Sequence, residues 1–132
     1  MQGMVLLGVM AAIAGPPIAR QLPRHRVARA ADVVAGDLEL AFALAARQRK
    51  PMRVTLSGTT YTIADRVGGT VRHRRRLGPE SEYRLQRVTF SANPVDVFPS
   101  GVTSSADTVT LTSGSAVRRV VMTAAGKVGI LR

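Results

Sequence analysis

The stretch Asp37-Leu-Glu-Leu-Ala-Phe-Ala-Leu-Ala-Ala-Arg-Gln-Arg-Lys-Pro-Met-Arg-Val-Thr-Leu56 decides the fold, because its hydrophobic period changes halfway along. Up to Lys50 the apolar positions Val27, Ala31, Val34, Leu38, Ala41 or Phe42, and Ala45 step alternately by four and three, which lays one stripe along an α-helix. Asp32, Gly36, Asp37, Glu39, Arg47 and Arg49 fall largely off that stripe. Pro51 biases the residue before it away from helical angles, so the helix ends near Lys50. Arg47, Arg49 and Lys50 suit that end, where the helix dipole is negative. From Met52 the period is two. Met52 to Ser57 alternates, Gly58-Thr59-Thr60 turns, and Tyr61 to Ile63 returns as a hairpin partner.

Downstream, Tyr83–Phe90, Thr108–Thr112, Ala116–Thr123 and Lys127–Leu131 read as further strands, separated by Gly, Ser, Asn and Pro clusters. Such a set makes an antiparallel sheet, with Val34, Leu38 and Phe42 of the helix as the cover for one face. The fold class is therefore α+β, a long amino-terminal helix packed on an antiparallel all-β head. The chain divides into 1–19, 20–50 and 51–132 as an apolar segment, a linking amphipathic helix and the head. Upstream, Leu22-Pro23 is expected to kink or restart the helix.

The first nineteen residues carry no charge, and Met4 to Ala14 is an unbroken run of apolar or small residues ended by Gly15-Pro16-Pro17. Three readings compete. Ala12-Ile13-Ala14 has the small-x-small form of a signal-peptide cleavage site, although Met1-Gln2-Gly3 lacks the usual basic residue. A buried helix of a soluble domain also fits, as does a membrane helix whose beginning lies outside this sequence, the run being shorter than the ~20 residues a full crossing needs. Local features alone put the signal peptide slightly ahead.

Composition weighs against an enzyme. The 132 residues hold 19 Lys and Arg against 8 Asp and Glu, a formal net charge of +11, with 45% hydrophobic residues. Disorder is excluded by that apolar content. The absence of cysteine removes disulfides, thiolate metal sites and thiol nucleophiles. His25 and His73 are far apart and the serines have no readable base partner. Asp37 and Glu39 face different ways on a helix and make a poor acid/base pair. Glu80 and Glu82, in a loop after Gly78-Pro79, are expected to balance nearby arginines. No catalytic, cofactor or metal constellation results.

The basic run Arg72-His-Arg-Arg-Arg76 is the sharpest remaining signal. With Arg66, Arg84 and Arg87 it forms a possible phosphate-binding surface. The simpler reading is a solvated loop. With few aromatic residues to stack on bases, only electrostatic contact with a DNA backbone is open.

In order and spacing, the chain resembles the type IV pilin superfamily, specifically minor pseudopilins of the GspH/FimT type. Leu7-Gly-Val-Met-Ala-Ala-Ile-Ala-Gly-Pro16 is similar to the second half of the pilin membrane helix, with Gly8 and Pro16 at matching places. Residues 37–56 look like the family's passage from helix to first strand. Val97-Phe98-Pro99-Ser-Gly101 resembles its F-P-x-G turn, and Ala125-Gly126-Lys127-Val128 its G-(R/K)-V hairpin. The family's amino-terminal Gly-Phe-Thr-Leu-x-Glu is absent, and by the Gly8 and Pro16 matches Met1 falls just inside that glutamate; a start further upstream is expected.

The resemblance implies a single-pass inner-membrane subunit with a periplasmic head, processed by prepilin peptidase and methylated. It would assemble with other pseudopilins in a filament serving type II secretion, with exported cargo as a further partner. Gly8, Ala11, Ala12 and Pro16 would pack against neighbouring helices in the membrane and filament. A FimT-like alternative is a minor pilin whose basic head binds DNA for uptake, with Arg72, Arg74, Arg75, Arg76, Arg118, Arg119, Lys127 and Arg132 as candidate phosphate contacts. That relative's G-R-x-R turn reads Gly126-Lys127-Val128-Gly129 here, with lysine in place of the first arginine and glycine in place of the second.

Overall fold

The structure is a computed structural model that describes the backbone of residues 2–131 and the side chains of residues 22–131. Helix α1 (Gln2–Gln48) spans 47 residues, about 70 Å at ~1.5 Å per residue. The helix does not restart at Pro23 and runs on through Gly15-Pro16-Pro17. A proline forfeits one backbone hydrogen bond and crowds the turn before it, which in a long helix is a local defect rather than an end. The stop near Lys50 is as expected, and its cap is explicit. Arg49 takes the left-handed φ of 54°, and the Lys50 N–H donates to the Ala45 carbonyl at 3.2 Å. That six-to-one bond is a Schellman closure, followed by Pro51.

The head holds β1 (Met52–Ser57), β2 (Thr60–Asp65), β3 (Val71–Arg76), β4 (Arg87–Phe90), β5 (Val95–Val97), β6 (Asp107–Ser113), β7 (Ala116–Met122) and β8 (Val128–Leu131). They form two four-stranded sheets, β3-β2-β1-β5 and β4-β6-β7-β8, where the sequence reading expected one. All the strand pairs are antiparallel. Helix α1 lies against both sheets. Its Val27, Ala30, Ala31, Val34, Leu38, Ala41 and Ala45 share one core with Met52, Val54, Tyr61 and Ile63 of the first sheet and Val109, Leu111, Val120 and Met122 of the second. The choice between Ala41 and Phe42 falls to Ala41, which is fully buried, while Phe42 is half-buried at the edge of the core.

Two segments depart from the expected pattern. Of Tyr83–Phe90 only Arg87–Phe90 is strand. Arg84 has a φ of 49°, and Ser81 Oγ donates to the Gly78 carbonyl and accepts from the Tyr83 N–H. Leu77, Tyr83 and Leu85 are buried by a folded loop rather than by a pleat. The basic run is strand β3 at a sheet edge, not a solvated loop; five polar residues in succession carry no apolar alternation to betray a strand.

Gly36 sits on the exposed side of α1 with open space where a Cβ would lie. Gly36→Ala is expected to raise stability by about 0.5–1 kcal/mol through helix propensity and a less flexible unfolded chain. Urea unfolding checks this; a loss of stability would show that the outer face is packed in isolation.

Candidate functional site

The main polar feature of the helix–head interface is Asp37, which falls off the apolar stripe yet lies on the buried side of α1. Its Oδ2 accepts from the Tyr61 hydroxyl and from Arg75 Nε at 2.9 Å, and its Oδ1 from Arg75 Nη2 at 3.2 Å. His73 Nε2 lies 3.2 Å from Oδ1. The register explains the gathering: Tyr61 pairs with Arg75 and Ile63 with His73, so all four side chains point from β2 and β3 toward the helix. Asp37 is three residues after Val34 and four before Ala41, both buried. That spacing is the signal by which the sequence could have placed it inward.

Burial opposes the charge on Asp37, but hydrogen bonds from Arg75 and Tyr61, with the Arg75 guanidinium, outweigh it and hold the carboxyl below its ordinary value. Burial, then the bond to Asp37, pushes the Tyr61 hydroxyl well up. With both carboxylate oxygens engaged by groups of the first sheet, the cluster locks helix to sheet.

Further pairs brace the first sheet. Arg53 bonds Asp96 across β1 and β5 at 2.8 and 3.2 Å, Arg66 joins at 3.4 Å, and Arg72 holds Asp65 through two bonds of 2.9 Å. The bonds from Arg72 and from Arg53 hold Asp65 and Asp96 below their ordinary values as well. A carboxylate depressed in the folded state binds its proton more readily when unfolded, so its stabilisation is complete above the unfolded value and is lost as pH falls through the folded one. The melting temperature is therefore expected to stay level from about pH 7 to 5 and to fall below about pH 4. Asp37→Asn should flatten that acid limb in thermal melts across a pH series; an unchanged limb would contradict the assignment.

The two turn motifs meet. The Gly101 N–H donates to the Phe98 carbonyl, and the Gly126 N–H to the Thr123 carbonyl, both at 2.9 Å. Phe98, Pro99, Ser100 and Gly101 thus make one turn after β5, and Thr123 to Gly126 another between β7 and β8. The Thr103 N–H donates to the Ala124 carbonyl at 3.0 Å and ties them together. A Cβ on Gly126 would stand 2.1 Å from the Gly101 carbonyl oxygen and 3.1 Å from Phe42 Cε1. Helix, first sheet and second sheet join at this point, which brings together Phe42, Gly101 and Gly126.

The candidate phosphate contacts, by contrast, are scattered. Arg72 and Arg75 are committed to Asp65 and Asp37, so Arg75 is a structural residue. Arg74 and Arg76 point outward beside Thr55, Ser57, Thr60 and Thr62, around a depression of about 390 Å³. Arg118 and Arg119 are consecutive on β7 in the other sheet and so face opposite ways. Lys127 is exposed in the β7–β8 turn; Arg132 lies outside the described residues, as do the side chains of Gly8, Ala11, Ala12 and Pro16. Glu82 does balance an arginine, Arg29 at 3.7 Å. Among the described residues no group of three or more His, Asp or Glu is placed to hold a metal ion, and no helix is long and apolar enough to cross a membrane.

No curated protein sequence matches the chain. Among solved structures, it is similar to the type IV minor pilin FimU of Pseudomonas aeruginosa strain PAO1 in two crystal forms. The first superposes with a TM-score of 0.67 at 15% identity, covering 83% of this chain and 90% of that one. For the second the TM-score is 0.63 at 14% identity, with 79% and 91% covered. At such identities the likeness is one of fold: a long amino-terminal helix carrying an antiparallel β head. The family model for type II transport protein GspH matches residues 30–126, which takes in the helix stripe, the Asp37 lock and both turns. The chain belongs to the GspH family, on a pilin-like α+β fold.

Proposed function

We propose that the chain is a minor pseudopilin, a structural subunit of a type II secretion pseudopilus that acts in protein export across the outer membrane. The observation that carries this reading is the GspH match over residues 30–126, on a helix that keeps a second face free. Asp32, Gly36, Glu39, Ala43 and Ala46 recur at helical spacing and are all exposed, while the opposite face is sealed into the head. A helix buried on one side and open along the other is suited to packing beside further subunits in a filament.

In this reading residues 1–19 belong to the inner-membrane anchor, 20–50 link it to the head, and 51–132 form the head in the periplasm. Gly8, Ala11, Ala12 and Pro16 permit close helix approach, a leader upstream is removed by prepilin peptidase, and the new terminus is methylated. Its partners are other pseudopilins and, at the exposed end of the filament, cargo. The protein contributes packing and no reaction, and no cofactor is required.

Deleting the gene in its native host tests the role. Type II cargo is expected to accumulate in the periplasm and to return to the medium on complementation. Normal secretion together with lost DNA uptake would transfer the protein to the FimT-like role; normal secretion and normal uptake would refute both.

A further inference from the structure

The outer face of the first sheet carries a polar platform with no internal partners. Strand register sets Arg76 beside Thr60 and Thr60 beside Ser57, and likewise Arg74 beside Thr62 and Thr62 beside Thr55. Two adjacent rungs therefore cross three strands, each with two hydroxyls and one guanidinium. None of these six side chains takes part in a hydrogen bond or ion pair among the described residues. That sets Arg74 and Arg76 apart, because Arg53, Arg66, Arg72 and Arg75 of the same sheet region are all bound to aspartates. The platform holds no acidic side chain, and β3 is an edge strand, paired only to β2.

From this geometry we infer that the β3 edge receives an extended acidic segment of a partner protein, added as a further strand. Charge and spacing both specify it. Arg74 and Arg76 are two residues apart on one face, about 6.6 Å along the strand, which is the separation of alternate side chains on a neighbouring strand. Acidic residues at alternate positions of an added strand would lie beside the two guanidinia as cross-strand pairs. The edge of β3 facing away from β2 offers main-chain donors and acceptors for the ladder, the mode of β-strand addition. A nucleic acid cannot continue the alternating N–H and C=O ladder of that edge, finds no aromatic platform here to stack on, and gains little counterion release from two free cations. Charged residues also guard edges against self-association, and here they would repel a second β3 while admitting an acidic strand. The inference goes beyond the filament reading and stands whether or not the chain works in secretion.

The test is titration of the full chain, in detergent, with a synthetic Val-Glu-Val-Glu-Val-Glu-Val peptide at low salt, followed by amide NMR and hydrogen exchange. Shifts centred on residues 71–76, with new protection of alternate β3 amides, are expected. Exchanging Glu for Lys in the peptide should abolish binding. The Arg74→Glu/Arg76→Glu double variant should weaken it about tenfold, the scale of two exposed ion pairs made repulsive. Both residues are exposed and unpaired, so this variant should melt with the parent protein. A 20-nucleotide DNA that binds the same rungs more tightly would overturn the peptide assignment in favour of a nucleic acid. Absence of binding, or binding without β3 protection, would overturn the added strand. Secretion in the gene-deletion strain is scored separately, so the two readings fail independently.

Discussion

Replacing Gly126 by alanine is expected to destabilise the head by about 3–5 kcal/mol. Two costs add. A φ of 89° is a region that L side chains rarely adopt, at about 1–3 kcal/mol. The new Cβ would also meet the Gly101 carbonyl oxygen at 2.1 Å, and relief requires moving backbone, a further ~1–3 kcal/mol. Phe42, at 3.1 Å, closes the remaining direction. For a domain near 100 residues such a loss lowers the melting temperature by about 15–25 °C.

Two control variants separate the causes. Gly101→Ala has the same kind of backbone, φ 91°, but open space at its Cβ, and should show the strain cost alone. Gly129→Ala has open space and no positive φ and should lie within about 0.5 kcal/mol of the parent. Equal effects at 126 and 101 would mean that the two turns do not meet.

Asp37→Ala is expected to cost about 3 kcal/mol, because it strands the Arg75 guanidinium and the Tyr61 hydroxyl at a buried interface. Breaking a buried pair from one side costs ~3–5 kcal/mol. The lower end applies, since the Arg75 side chain is 30% exposed and can turn partly to water. Tyr61→Phe removes one hydrogen bond and should cost about 1–1.5 kcal/mol. A double-mutant cycle between Asp37→Ala and Arg75→Ala should return a coupling of about 1–3 kcal/mol. A coupling near zero would show that the two side chains do not act as a lock. Because the lock joins α1 to β3, its loss should also speed hydrogen exchange in β3 ahead of the second sheet.

The elements legible in the sequence are those whose two faces differ. The helix stripe, its end before Pro51, the first hairpin and β6 to β8 all carry a clear period, because one side of each meets the core. Strand β3 carries none: its inward residues are His73 and Arg75, which satisfy Asp37, and polar residues on both faces hide the pleat. With three residues, β5 is too short to show alternation. Division into two sheets depends on pairings distant in sequence, such as β1 with β5 and β4 with β6, which no local pattern encodes. At the site, the turn motifs were legible one by one, but the contact of Gly126 with Gly101 and Phe42 was not. The Asp37 lock is hidden for the opposite reason: the residue lies off the apolar stripe as first drawn, although its spacing from Val34 and Ala41 puts it on the buried side.

On the proposed filament role, the open face of α1 packs against other pseudopilins. The chain has no cysteine, so a single Gly36→Cys, placed in open space on that face, can be tested in native cells with single cysteines on the helices of the partner pseudopilins. Cross-links from position 36 to a partner helix that require an assembled secretion system are expected, and none from a cysteine at Thr62 on the outer face of the head. Equal cross-linking at both positions, or none at 36 in secreting cells, would contradict that packing.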